Sequence, residues 1–267
     1  LYRTDRFTFY PLARNPWVIY TTSGPTLGNV FHMARALEGT TARFVLAFHS
    51  KISRWEAHFL RRQVEEFRRR HSACSLTILA PDKEEQQRVR RITGADVRFI
   101  NKNAFTREDQ FCIQPDVDTE YDAIMNARTI RVKRVELARL VDNLAMITVV
   151  DNETYFEEMK ALLEGAAWLN FRGGEYTYFS RAEVATALNR ARTGLILSAV
   201  EGTNRASIEY LLCGLPVVST PSEGGRDVFF DEDYCAIVEP TAEAVRQGVQ
   251  RMLAQDVGPE EIRDRTL

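Results

Sequence analysis

The chain alternates between short apolar runs and longer amphipathic stretches. The runs WVIYTT (17–22), ARFVLAFHS (42–50), SLTILAP (75–81) and ADVRFIN (95–101) are rich in β-branched and aromatic residues and too short for helices, so each predicts a strand. Between them, GNVFHMARAL (28–37), SRWEAHFLRRQVEEFRRRH (53–71) and KEEQQRVRRITG (83–94) repeat apolar positions at helical spacing, the last stopping at Gly94. The period then lapses from Asn103 to Glu120, where Asp, Thr, Gln and Pro gather, and a linker is expected there. A second alternating series follows. It reads strand YDAIMNA (121–127), helix KRVELARLVDNL (133–144), strand AMITVVD (145–151), helix TYFEEMKALLEG (154–165), strand AAWLNF (166–171), helix SRAEVATALNRA (180–191) and strand GLILSA (194–199). A last amphipathic helix, TAEAVRQGVQRMLAQ, lies near the end. Strands alternating with helices predict parallel sheets wrapped by helices, in an α/β fold of two doubly wound halves that face each other, with ligands at the C-terminal ends of the strands. The expected domains are residues 1–115, short, and residues 116–267.

The chemistry concentrates in SAVEGTNRASIEYLLCGLPVVSTPSEGG, residues 198–225. A strand delivers Glu201 into a Gly-Thr-Asn turn, and the next helix carries Glu209 eight positions later. Small and polar residues at such a turn leave backbone amides open at a helix N-terminus, where the peptide dipoles favour a phosphate-like anion. Gly214 suits a left-handed helix end, Pro216 prevents continuation, and Val217 to Thr220 begin another buried strand. The plainer reading is an ordinary strand, helix and strand with an acidic loop. Upstream, NARTIRVKR (126–134) places Arg128 and Lys133 five residues apart at a strand end, where a planar fork and a point charge can both reach a diphosphate. Alone, that segment reads equally as surface charge.

Together the two segments resemble the donor-binding signature of family 4 retaining glycosyltransferases of the GT-B fold, with paired glutamates that have seven residues between them and an upstream Gly-Arg-x-x-x-x-Lys. This chain has Ala127 where the family has Gly, and adds Arg131 and Arg134. The resemblance is strong from about Tyr121 onward and loose before Asn103; against a full member the first half is short, as in a fragment or a compact variant. It implies a Rossmann-like acceptor-side domain followed by a donor-binding domain. It also implies transfer of a sugar from a nucleotide-diphosphate sugar to a carbohydrate, lipid-linked or other hydroxyl acceptor, with retention, needing no metal and no cofactor beyond the donor itself. In that frame Arg128 and Lys133 bind the diphosphate. The backbone of Gly202, Thr203, Asn204 and Arg205 holds phosphate oxygens, Glu209 takes the ribose, and Glu201 approaches the donor sugar. His49, ending a first-half strand, matches a catalytic His at a similar strand end, with a hydrogen-bonded structural His as the alternative. The segment NFRGGEYTYFSRAEV (170–184) matches a loop that closes over the base, or is a surface hairpin. An epimerase or hydrolase sharing the diphosphate site, or a non-catalytic binding module, are the rival functions.

Composition narrows this picture. With 267 residues, 45% of them hydrophobic, the chain is long enough for two domains or one large one, with real cores. A formal charge of −2 argues against nucleic acid as partner. Cys74, Cys112, Cys213 and Cys235 are scattered without metal-ligand spacing, and Asp116-Val117-Asp118, spelled like a metal pair, falls in the linker. A reducing cytosol fits, at the inner membrane face if contact with lipid occurs, since no apolar run reaches membrane-spanning length. The basic helix around Arg61, Arg62, Arg69 and Arg70 reads first as a solvated face with i,i+4 pairs. Trp55 and Phe59 beside it make weak contact with anionic lipid headgroups the second reading.

Overall fold

The structure, a computed structural model, describes residues 2–4, 7–48 and 51–267. The chain divides into two compact units, Leu1–Ala104 and Phe105–Leu267. The division falls between Ala104 and Phe105 rather than at 115/116. Residues 105–115 are held by the second unit: Phe111 is 2% exposed in its core, and Arg263 donates to the Phe111 carbonyl at 2.8 Å. Asn189 donates to the Cys112 carbonyl at 3.0 Å and accepts from the Gln114 amide at 2.8 Å.

The first unit holds β1 (Tyr2–Thr4), β2 (Phe7–Arg14), β3 (Trp17–Ser23), α1 (Gly28–Ala36), β4 (Ala42–Phe48), α2 (Arg54–Arg70), β5 (Ser75–Ala80), α3 (Lys83–Thr93) and β6 (Asp96–Phe99). Its six strands run in sequence order, β1 to β3 antiparallel and β3 to β6 parallel. Right-handed crossovers between strands in sequential order put all the helices on one face. The burial pattern agrees: Ile19, Phe44, Leu46, Ile78 and Val97 are buried with the helices, while the alternate residues Arg43, Thr77, Asp96 and Arg98 are not. The short first half is thus wound in one direction only. Two sequence devices set its helices: Ser53 and Glu56 form a capping box at the start of α2, and Gly94 ends α3 at φ 65°.

The second unit holds β7 (Ala123–Asn126), β8 (Leu144–Ile147), α4 (Glu153–Leu162), β9 (Ala167–Trp168), β10 (Phe171–Arg172), β11 (Glu175–Tyr176), α5 (Arg181–Asn189), β12 (Gly194–Ile196), α6 (Arg205–Leu212), β13 (Val217–Ser219), β14 (Cys235–Ile237), α7 (Ala242–Leu253) and α8 (Pro259–Thr266). Its main sheet is parallel throughout, in the order β14-β13-β12-β7-β8-β9. Successive strand residues enter opposite cores. Ile124, Ile196 and Val217 pack with α5, α6 and α8, whereas Ala123, Met125, Leu195 and Val218 pack with α4 and α7. This unit is doubly wound, and burial on both faces explains why its strands read as unbroken apolar runs.

One expected element is absent. KRVELARLVDNL does not form an α-helix; it folds as 3₁₀ turns, Arg131–Lys133 and Val135–Ala138, on the way to β8. Arg134 and Asn143 adopt left-handed backbone, φ 51° and φ 45°, which an α-helix cannot accommodate.

Candidate functional site

In the second unit β7 and β12 are neighbours, yet the sheet grows away from them in opposite directions. Their C-terminal ends form the topological switch point, where an open α/β sheet leaves a crevice for ligands. The loops beyond them are tied together there. The Ala199 amide donates to the Val132 carbonyl at 2.9 Å, the Glu201 amide to the Glu223 carbonyl at 2.9 Å, and the Gly225 amide to the Gly202 carbonyl at 2.8 Å. Glu201 is therefore held between the turn after β7 and the loop after β13.

The structure brings three of the expected residues into direct contact. Lys133 Nζ donates to Glu201 Oε1, which also accepts from Asn204 Nδ2 at 3.1 Å. The Lys133 and Glu201 side chains are only 18% and 14% exposed, so the pair is shielded from solvent. Asn204 is the N-cap residue of α6, but its side chain makes no cap hydrogen bond to the helix. Arg205 opens α6, and the first turn of a helix favours an anion through its aligned peptide dipoles. Gly202 and Thr203 lie in the turn between Glu201 and this helix start.

Deeper in α6, Glu209 is 6% exposed, and burial pushes its carboxyl up to about 7, with Arg205 and Arg181 pulling the other way. Among the described residues nothing hydrogen-bonds this carboxylate. A carboxylate so largely removed from water is suited to accept from hydroxyl or amide donors. The neighbouring Tyr210 is fully buried and fixes α6 to the switch point. Its hydroxyl accepts from the Asn126 amide at 2.7 Å and donates to the Leu195 carbonyl at 3.4 Å.

Arg128 has a different partner from Lys133. Its guanidinium pairs bidentately with Asp151, beyond the end of β8, with Nε 2.5 Å from Oδ2. The pairing raises the Arg128 pKa, and the arginine side chain is 60% exposed. His49 lies outside the described residues. The GG segment is a two-residue hairpin, β10 to β11, with Gly173 and Gly174 at φ 60° and 87°, the signature of a type I′ turn. Phe171 anchors it by stacking on Phe156 at 4.9 Å.

Three further residues shape the crevice. Asp151 becomes a partner for Arg128 only once β8 lies beside β7. Gly224 has φ 120°, and a Cβ there would lie 1.5 Å from the Glu201 carbonyl oxygen. Arg226, next to that turn, is completely buried; it donates to the Ser198 carbonyl at 3.0 Å and the Thr220 carbonyl, and pairs with Asp227 at 2.9 Å. It cross-links the segments leaving β12 and β13 from below the crevice. A cavity of about 370 Å³ lined by Gln114, Asn189, Arg192, Gly214 and Pro216 lies elsewhere, near the starts of β12 and β13. Asp116 and Asp118 sit in an exposed turn, and among the described residues no group of three His, Cys, Asp or Glu side chains is placed to hold a metal.

Neither a protein-family profile nor a curated protein sequence matches the chain. Solved structures do. Sucrose-phosphate synthase from Thermosynechococcus elongatus is similar at a TM-score of 0.69 with 16% identity, over 93% of this chain and 66% of that one. Anabaena HepE in complex with UDP is similar at 0.66 with 13% identity, over 90% of this chain and 77% of that one. A variant of S. aureus TarM, in complex with fondaparinux, α-GlcNAc-glycerol and UDP, is similar at 0.65 with 13% identity, over 92% of this chain and 50% of that one. The fold is that of the GT-B glycosyltransferases. The chain spans 66% of the length of the first of these structures and half of the third.

Proposed function

We propose that the chain binds a nucleotide-diphosphate sugar at the switch point of its second unit and transfers the sugar to a hydroxyl acceptor with retention, without a metal ion. The observation that carries this reading is the meeting of Lys133, Glu201 and Asn204 at the start of α6. When the sugar–phosphate bond breaks, negative charge grows on the leaving diphosphate. Lys133 and the first-turn amides are fixed in advance to stabilise it, which is the electrostatic part of catalysis. Glu201, already held toward Lys133, is placed to accept hydroxyls of the donor sugar rather than to act as a covalent nucleophile. Arg128 exchanges part of its contact with Asp151 for diphosphate oxygens, and Glu209 accepts the ribose hydroxyls. His49 is assigned to turnover by the resemblance alone. Structures of HepE and TarM with UDP make uridine the first base to try. The acceptor is a carbohydrate, a lipid-linked sugar or another hydroxyl compound.

The test is a transfer assay on a panel of sugar nucleotides and glycosyl acceptors, with nuclear magnetic resonance to read the anomeric configuration of the product. The expected result is a glycoside with the donor's configuration, formed at the same rate with and without a chelator. Inversion, or a rate that chelation abolishes and manganese restores, contradicts the mechanism. Release of free sugar without glycoside would make the chain a hydrolase, and tight binding without turnover would make it a binding module.

A further inference from the structure

Helix α2 carries an apolar face on each side. Ala57, Leu60, Val64 and Phe67 are buried in the core of the first unit. On the outward side Trp55 is 76% exposed and Phe59 45% exposed. Their rings lie parallel, 6.2 Å between centroids and 4° between planes. A single exposed apolar side chain is ordinary, but a stacked aromatic pair turned away from the core forms a continuous patch.

The charge around this patch is unbalanced. The helix contains six arginines against three glutamates, and each glutamate is already engaged. Glu56 closes the capping box with Ser53, Glu65 lies 3.6 Å from Arg61, and Glu66 lies 2.8 Å from Arg70. Arg68 donates to the Gly94 carbonyl at 2.6 Å. Arg54, Arg62 and Arg69 are exposed and, among the described residues, have no acidic partner. Trp55, Arg62 and Arg69 recur at seven-residue steps, which aligns them along one outward line of the helix beside Phe59.

We propose that this face docks the chain on an anionic phospholipid surface. Helix α2 would lie in the plane of the interface, with Trp55 and Phe59 among the headgroups and Arg54, Arg62 and Arg69 against lipid phosphates. Aromatic rings prefer that depth, and guanidinium groups match phosphate geometry, so one helix face meets both demands of such a surface. Every residue involved belongs to the first unit, so the inference stands apart from the donor site.

Co-flotation of the whole chain with lipid vesicles tests this. Binding is expected to vesicles of phosphatidylcholine mixed with phosphatidylglycerol, to be absent with phosphatidylcholine alone, and to be lost in about 1 M salt, where screening is complete within about 3 Å. The double variant Trp55→Ala/Phe59→Ala should lower partitioning about tenfold or more. Arg62→Gln and Arg69→Gln should each lower it about fivefold. All of these side chains are solvent-exposed, so unchanged melting curves will show that the variants are folded. Equal binding to neutral vesicles, or variants that float as well as the wild type, would overturn the proposal. So would failure to float together with self-association that Trp55→Ala abolishes, which would make the patch a contact between two copies.

Discussion

Gly224→Ala is expected to lose sugar-nucleotide binding and turnover almost completely. The added Cβ would fall 1.5 Å from the Glu201 carbonyl oxygen and 2.7 Å from its carbonyl carbon, at a backbone φ of 120° that L-residues avoid. Neither partner is a flexible side-chain tip that can swing aside. The loop after β13 must therefore separate from the segment carrying Glu201, breaking the Glu201 amide to Glu223 carbonyl bond of 2.9 Å. Overpacking with backbone strain costs roughly 3 kcal/mol, and a shift of about 1 Å in a positioned group can cost about 100-fold in rate. Gly173→Ala is the control. Its φ is 60°, but a Cβ there meets nothing within 4 Å, so only a backbone cost of about 1–2 kcal/mol is expected, with the crevice intact. Thermal melting and steady-state turnover of both variants check this, and a Gly224→Ala protein with wild-type turnover would remove Glu201 from the site.

The second large effect belongs to Glu209, through pH. Its folded carboxyl sits at about 7 against an ordinary 4.5, chiefly because it is buried. The folded chain therefore holds the proton more tightly than the unfolded one, so this contribution to stability is fully present below about 4.5 and is lost as pH rises through about 7. At 1.36 kcal/mol per pH unit the loss is about 3 kcal/mol. Glu85, buried in the first unit and likewise pushed up to about 7, contributes with the same sign. Glu209→Gln should flatten the dependence for the second unit and leave that of Glu85. Donor binding should run the other way, because ribose hydroxyls donate to the ionised carboxylate. Affinity for a sugar nucleotide is expected to rise about tenfold from pH 6 to pH 8 in the wild type and to stay flat in Glu209→Gln. Titration calorimetry across that range decides the matter; a flat wild type would place the ribose elsewhere.

Much of this was legible from residue patterns. The parallel strands of the second unit are buried on both faces, so they stand out as apolar runs, and the capping residues Ser53 and Ser180 mark helix starts outright. Glu201, Glu209 and Lys133 were visible because spacing along the chain carries over to the end of one strand and one helix. The failures have equally local causes. The stretch 133–144 has helical spacing, but the left-handed Arg134 and Asn143 break it, and nothing in an Arg signals that conformation. The strands Tyr2–Thr4 and Phe7–Arg14 show no clean alternation in the sequence, because Pro11 and Pro16 interrupt it. Asp151 and Arg226 meet their partners only through sheet order, which no single segment encodes.

The central claim is that the donor lies at the switch point, with diphosphate at Lys133 and ribose at Glu209. Its most direct test is calorimetric titration of the wild type, Lys133→Ala and Glu209→Gln with a nucleoside, its diphosphate and its sugar nucleotide, after uridine compounds have been tried first. Glu209→Gln should weaken all three ligands by roughly 1.5–3 kcal/mol, the worth of a hydrogen bond to a charged group. Lys133→Ala should leave the nucleoside unchanged and weaken only the two ligands that carry the diphosphate. Equal losses for every ligand in both variants, or no loss in either, would contradict the placement of the donor in this crevice.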